Sequence, residues 1–164
     1  MPMQTSIKSF LDYLQLERRL SNHTVINYQR DLNRLQQFCY DQDLTDWSQL
    51  KSKQLKLCVA RMHRTGLSGK TIQRFLSATR SFFKYLVREN QIRANPAIGV
   101  VAPKSDKRLP KTLSVDQLGS LLDVKINSDD PLQLRDLAMF ELLYSSGLRL
   151  SELTGLKLEQ LDLA

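Results

Sequence analysis

Helix breakers are scarce in this chain: six glycines and five prolines are spread over 164 residues. Strand-like alternation of apolar and polar residues is nearly absent, so the chain reads as all-α. Cysteine is almost missing too. Cys39 and Cys58 both fall among apolar helical positions, which excludes a disulfide scaffold and points to reduced core thiols of a cytoplasmic protein. His23 and His63 have no cysteine or carboxylate cluster beside them, so no metal site is expected. No run of about 18 apolar residues occurs, which excludes a membrane-spanning helix. Residues Met1 to Phe10 lack the basic-then-apolar pattern of a secretion signal.

What the chain has in concentration is positive charge, and it is unevenly placed. Residues 1–46 carry a net −1 and residues 111–164 a net −4, while residues 47–110 hold fourteen Lys/Arg against two Asp/Glu, a net +12. A block this basic between two mildly acidic ones is the electrostatic footprint of a polyanion partner. With 41% hydrophobic residues, the chain has enough apolar material to bury a core in one or two small domains.

The helices follow from period and caps. Thr5 or Ser6 is expected to cap a first helix with Ile7, Phe10, Leu11, Leu14 and Leu16 inward. Ser21 or Asn22 caps a second, whose stripe Val25, Tyr28, Leu32, Leu35 and Cys39 steps by three and four to about Tyr40. Trp47 and Leu50 anchor the following loop, and a third helix of roughly Lys53 to Arg64 stops at Thr65-Gly66.

The fourth helix, Ser68 to Asn90, has the sharpest pattern. At about 100° per residue, Ile72, Phe75, Leu76, Thr79, Phe82, Phe83 and Leu86 share one arc, and Lys70, Arg74, Arg80, Lys84 and Arg88 share the opposite one. The aromatic stripe is core. The basic stripe is either a solvated face or a DNA-binding face, and its single sign favours DNA, since only Glu89 is acidic in the helix. Lysines and arginines there neutralise phosphates, while Gln73, Arg74, Ser77 and Arg80 can reach base edges.

Asn95-Pro96 closes this helical domain, expected over residues 1–98, and residues 99–112 form a basic linker containing Lys104, Lys107, Arg108 and Lys111. Ser114 with Gln117 forms a capping box that opens residues 113–164. A long apolar helix pattern then runs from Leu132 to Tyr144 and is broken by Gly147, with a short helix from about Leu150. That places Arg149 beside a helix N-terminus, resting on buried leucines, where a guanidinium can grip a phosphate with two parallel bonds. The alternative is a surface arginine paired with Glu152 or Glu141, worth little. Residues 111–164 read as the beginning of a domain.

Taken together, these segments resemble a Xer-type tyrosine recombinase of the phage-integrase family, over its N-terminal half. The matching residues are Glu17-Arg18-Arg19-Leu20-Ser21 with Thr24, Asn27-Tyr28-Gln29-Arg30, and Leu76 through Leu86. Further matches are Ala94-Asn95-Pro96-Ala97, Ala102-Pro103-Lys104, Leu109-Pro110-Lys111 and Arg135-Asp136-Leu137-Ala138-Met139. Gly147-Leu148-Arg149-Leu150-Ser151-Glu152-Leu153 is the most specific of them, and the Asn-Pro close and Pro-Lys linker fit the C branch of the Xer pair best.

The resemblance implies a four-helix SAM-like core-binding domain followed by the first helices of a truncated tyrosine-recombinase catalytic domain. It implies site-specific recombination of duplex DNA in chromosome dimer resolution at cell division. A 3′-phosphotyrosyl intermediate stores the bond energy, so no cofactor or metal is needed. It implies a second Xer-type recombinase (XerD-like) in a heterotetramer and a DNA translocase as a further partner; the lack of a long apolar run already argues for no membrane partner. Arg149 matches the family's first catalytic arginine, and Glu152 the acidic position one turn later that holds it.

The departure is large. The family's catalytic lysine, its His-x-x-Arg pair and its nucleophilic tyrosine have no match here. Tyr13, Tyr28, Tyr40, Tyr85 and Tyr144 each read as packing residues. The 164 residues are therefore expected to bind DNA without cleaving it. The alternatives are a non-catalytic DNA-binding module, a phage or integron integrase of the same superfamily, and a helical interaction protein whose basic face meets an acidic partner.

Overall fold

The computed structural model describes residues 2–104, 112–123 and 129–160, and among them every regular element is helical. The chain divides into two compact units, Met1–Lys107 and Arg108–Ala164. No helix among the described residues is long and apolar enough to cross a membrane.

In the first unit, α1 (Met3–Asp12) continues into a π-helical turn, Tyr13–Glu17. α2 spans Asn22–Tyr40, α3 Ser52–Arg64 and α4 Gly69–Arg88. α1 packs on α2 and α4, α2 on α4, and α3 on α4. The polar residues that start these helices act as caps: Ser21 Oγ accepts from Thr24 N at 3.4 Å and Ser68 Oγ from Thr71 N at 3.2 Å. α3 ends where Gly66 takes φ +83°, a conformation open to glycine.

The first helix departs from expectation. It starts at Met3 rather than Thr5 or Ser6, because the Pro2 carbonyl, not a hydroxyl, accepts from Thr5 N at 3.0 Å. Ser6 is buried and its hydroxyl donates to Gln91 Oε1 at 3.0 Å. The π turn, closed by Arg18 N to Tyr13 O at 3.1 Å, rotates the following residues, so Leu14 is buried while Leu16 is 75% exposed.

The core is aromatic at its centre. Phe82 is fully buried and lies 5.4 Å from Phe10, 5.0 Å from Trp47 and 5.4 Å from Phe83, each edge-on. Trp47 Nε1 donates to Met3 O at 3.2 Å, which fastens the α2–α3 loop to the start of α1. Packing continues past the expected close at residue 98: Val100 is buried, and Ala102 packs partly on the same cluster. Tyr13, Tyr28 and Tyr85 pack against this core. Tyr40, at 50% exposure, does not, because it sits in the last turn of α2 beyond Cys39.

Cys39 and Cys58 are both buried and free. Burial pushes each thiol up to about 12, with the neighbouring Cys58 adding to the effect at Cys39. At pH 8 the folded protein should therefore show almost no reaction with a disulfide reagent over minutes, and both thiols should titrate once guanidinium unfolds it. Rapid labelling of the folded chain would contradict this.

In the second unit, α5 (Val115–Leu122) is opened by the Ser114–Gln117 capping box, α6 spans Pro131–Ser146 and α7 Leu150–Thr154. α6 ends at Gly147 with φ +62°. No residue of α5 or α6 is fully buried. Leu132, Leu134, Phe140 and Tyr144 are 60%, 45%, 41% and 61% exposed, so Tyr144 is not a packing residue here. Leu137, Met139, Leu142 and Leu143 are half-buried, so among the described residues α5 and α7 cover α6 only in part.

Candidate nucleic-acid interface

Helix α4 is the element from which a site can be built. Its inward side, Ile72, Phe75, Leu76, Thr79, Phe82, Phe83 and Leu86, is fully buried. The outward side therefore has a fixed direction. Lys70 and Lys84 are exposed and, among the described residues, hold no hydrogen bond or ion pair. Gln73 and Ser77 lie between them, also exposed. Ser77 Oγ donates to Gln73 O at 3.0 Å, so its hydroxyl proton is used within the helix and only its lone pairs face outward.

The arginines of the stripe are not equivalent to these lysines. Arg74 forks onto Asp31 of α2, with Nε to Oδ2 at 2.9 Å and Nη2 to Oδ1 at 3.1 Å, and its Nη1 lies 3.4 Å from Asn27 Oδ1. Hydrogen bonding to Asp31 holds the guanidinium further above its ordinary pKa. Arg80 leans to the other flank, where Nη2 donates to Val100 O at 3.0 Å. Asn95 reinforces that flank: its Nδ2 donates to Arg80 O at 3.0 Å, and its Oδ1 accepts from Ala97 N at 2.9 Å. Arg88 lies 4.1 Å over the Tyr13 ring and 5.2 Å from that of Tyr85, and its Nε donates to Glu89 at 2.9 Å. The basic stripe thus resolves into an outward ridge, Lys70–Gln73–Ser77–Lys84, bordered by arginines that each hold a partner within the protein. Arg80, expected to reach base edges, has one guanidinium N–H engaged by the Val100 carbonyl.

Sequence patterning missed Asp31 and Asn27. The signal was available: Asp31 is the sole acidic residue between Asn22 and Tyr40, and it flanks the apolar stripe of α2. A single carboxylate at such a border is usually paired. Of the linker cations, Lys104 is exposed; Lys107, Arg108 and Lys111 lie outside the described residues.

In the second unit Arg149 precedes α7. Its backbone N–H donates to Glu152 Oε2 at 2.8 Å and its Nη1 to Oε1 at 2.9 Å. The partner is Glu152, not Glu141. The pair is open to solvent, with the Arg149 side chain 82% exposed, so it adds little stability. The expected seat of buried leucines is only partly present: Leu153 is buried, but Leu150 is 70% exposed.

This arrangement can be compared with known proteins. The phage integrase N-terminal SAM-like domain matches residues 7–90, and the phage integrase family matches residues 111–164. The chain is 47% identical over 162 residues to the tyrosine recombinase XerC of Azotobacter vinelandii and 51% over 158 residues to that of Alcanivorax borkumensis. To that of Escherichia coli O157:H7 it is 45% identical over 161 residues. These alignments take in 99%, 96% and 98% of the chain but 54%, 50% and 53% of the relatives. The chain spans about half the length of the curated relatives it matches.

Among solved structures, a Tn1549 transposon integrase in complex with a circular intermediate DNA aligns with a TM-score of 0.69 at 24% identity, over 96% of this chain and 49% of that one. An integrase from mycobacterium phage Brujita aligns at 0.55 and 23%, over 95% and 50%. At these identities the likeness concerns the fold alone. With two family models matched in succession along its length, the chain belongs to the phage integrase family.

Proposed function

We propose that this chain is the DNA-gripping half of a tyrosine recombinase that performs site-specific recombination in chromosome dimer resolution. The observation that carries the reading is the outward ridge of α4, of one charge sign and held rigidly by the aromatic core beneath it. Lys70 and Lys84 supply mobile positive charge to phosphates, and Gln73 and Ser77 stand between them at a groove. Arg80 and Arg88 act by shaping the flanks, exposed Lys104 adds charge for the DNA backbone, and Lys107, Arg108 and Lys111 are proposed as further phosphate contacts by their charge alone. Identity to three XerC recombinases along almost the whole chain supports the assignment of activity.

Arg149 would stabilise charge developing on the scissile phosphate, with Glu152 fixing the direction of its guanidinium. In the whole recombinase the attacking tyrosine, lysine and His-x-x-Arg groups would complete that site. Its partner would be a XerD-like recombinase in a heterotetramer, its compartment the cytoplasm, and a DNA translocase a further contact. No cofactor is required, because the phosphotyrosyl bond conserves the energy of the one that was broken.

The 164-residue chain by itself should bind duplex DNA and leave it intact. Incubation with a nicked trapping duplex, followed by denaturing electrophoresis, is expected to give no covalent adduct while a native gel shows a complex. A covalent adduct would overturn the proposal of inactivity.

A further inference from the structure

The Asp31–Arg74–Asn27 cluster stands apart from the rest of the basic face. Asp31 has 0% of its side chain exposed, while Arg74 retains 38%. The carboxylate is therefore hidden from any ligand, and the guanidinium is shared between the interior and the surface. Asp31 consumes the Nε/Nη2 edge. Nη1 donates one N–H to Asn27 Oδ1 at 3.4 Å, so of the five guanidinium N–H groups one on Nη1 and one on Nη2 remain, at the seam between α2 and α4. Lys70 and Lys84, without fixed partners, can deliver charge but no direction. Arg74 is the stripe arginine held by two bonds to one buried carboxylate, which sets its plane before any ligand arrives.

Resting on the DNA-binding reading above, we infer that Asp31 is a positioning residue that fixes Arg74 to read the acceptor edge of a guanine in the major groove. Guanine presents O6 and N7 side by side, and a planar fork of two N–H groups is their match. A buried carboxylate behind the fork removes the rotamer freedom that would otherwise be lost on binding. Asn27 steers the same edge from α2, so the readout depends on both helices keeping their register.

The test is selection from a pool of duplexes with a randomised window, using the 164-residue chain as wild type, Asp31→Asn, Arg74→Lys and Lys84→Ala. The wild type is expected to favour guanine at one position by about tenfold. Asp31→Asn and Arg74→Lys should both lose that preference. Lys84→Ala should keep it while binding every duplex more weakly by a common factor. Arg74→Lys preserves the charge opposite Asp31, so it decides the matter if Asp31→Asn fails to fold by circular dichroism. Retention of the preference in Arg74→Lys would overturn the inference and leave the cluster a structural ion pair. So would a uniform loss of affinity in Arg74→Lys, the signature of a phosphate contact, or a wild type that binds duplexes without preference. A wild type that binds no duplex at all would remove the DNA-binding reading itself.

Discussion

Truncation of Phe82 to alanine is expected to cost the first unit about 3–5 kcal/mol. The ring is fully buried and edge-on to Phe10, Trp47 and Phe83, so its removal loosens three elements at once: α1, the Trp47 loop and α4 itself. Domains of this size hold about 5–15 kcal/mol in total. The midpoint of thermal unfolding followed by circular dichroism should fall by roughly 15–30 °C. A loss under about 1 kcal/mol would mean that neighbours collapse into the space and that the aromatic cluster is not the keel of the unit. The proposed function is coupled to the same residue, because the direction of the α4 ridge is set by how the helix is seated.

Reversal of charge at the ridge should have the opposite signature, large for binding and small for folding. Lys70→Glu with Lys84→Glu replaces two exposed side chains that, among the described residues, have no internal partner. Stability should stay within about 0.5 kcal/mol of wild type. Affinity for duplex DNA at about 0.1 M salt should fall by about a hundredfold or more, and the salt slope should weaken by about 2, one for each phosphate that is no longer neutralised. Arg80 is unsuitable for this experiment, because its guanidinium holds Val100 and its carbonyl is held by Asn95, so a glutamate there would disturb folding as well. The matched control is Lys53→Glu with Lys56→Glu, the same change in net charge on exposed positions of α3. If both pairs weaken binding equally, bulk charge and not the ridge carries the interaction.

The helices were legible in the sequence because their signals are local. Ser21, Ser68 and the Ser114–Gln117 pair bond amides within one turn, and Gly147 takes its positive φ from its own lack of a side chain. The buried face of α4 was legible for a related reason, since seven apolar or small residues in one arc leave one way to seat the helix. Periodicity does not reveal what lies at the flanks of a helix. Arg74 and Arg80 share an arc with Lys70 and Lys84, yet one is bound to α2 and the other to the turn after Asn95. Those pairings join residues 43 and 20 positions apart, respectively, and no single-helix projection contains them. Leu16 was misplaced because a π turn shifts the angular register that a 100° projection assumes. In the second unit the apolar pattern of α6 was read correctly as helix, but period alone could not show that α5 and α7 cover it only in part, with no residue of α6 fully buried.

The central claim, that the α4 ridge engages duplex DNA through its phosphates, is tested most directly by the affinity of the 164-residue chain for a random-sequence duplex of about 30 base pairs. Binding should be measured between about 50 and 200 mM salt. Because the electrostatic part of such binding needs no particular sequence, the target site need not be known. The account predicts that log affinity falls linearly with log salt with a slope of about −3 or steeper, a loss of roughly 60-fold across that range. An affinity indifferent to salt, or no binding at the lowest salt, would contradict it.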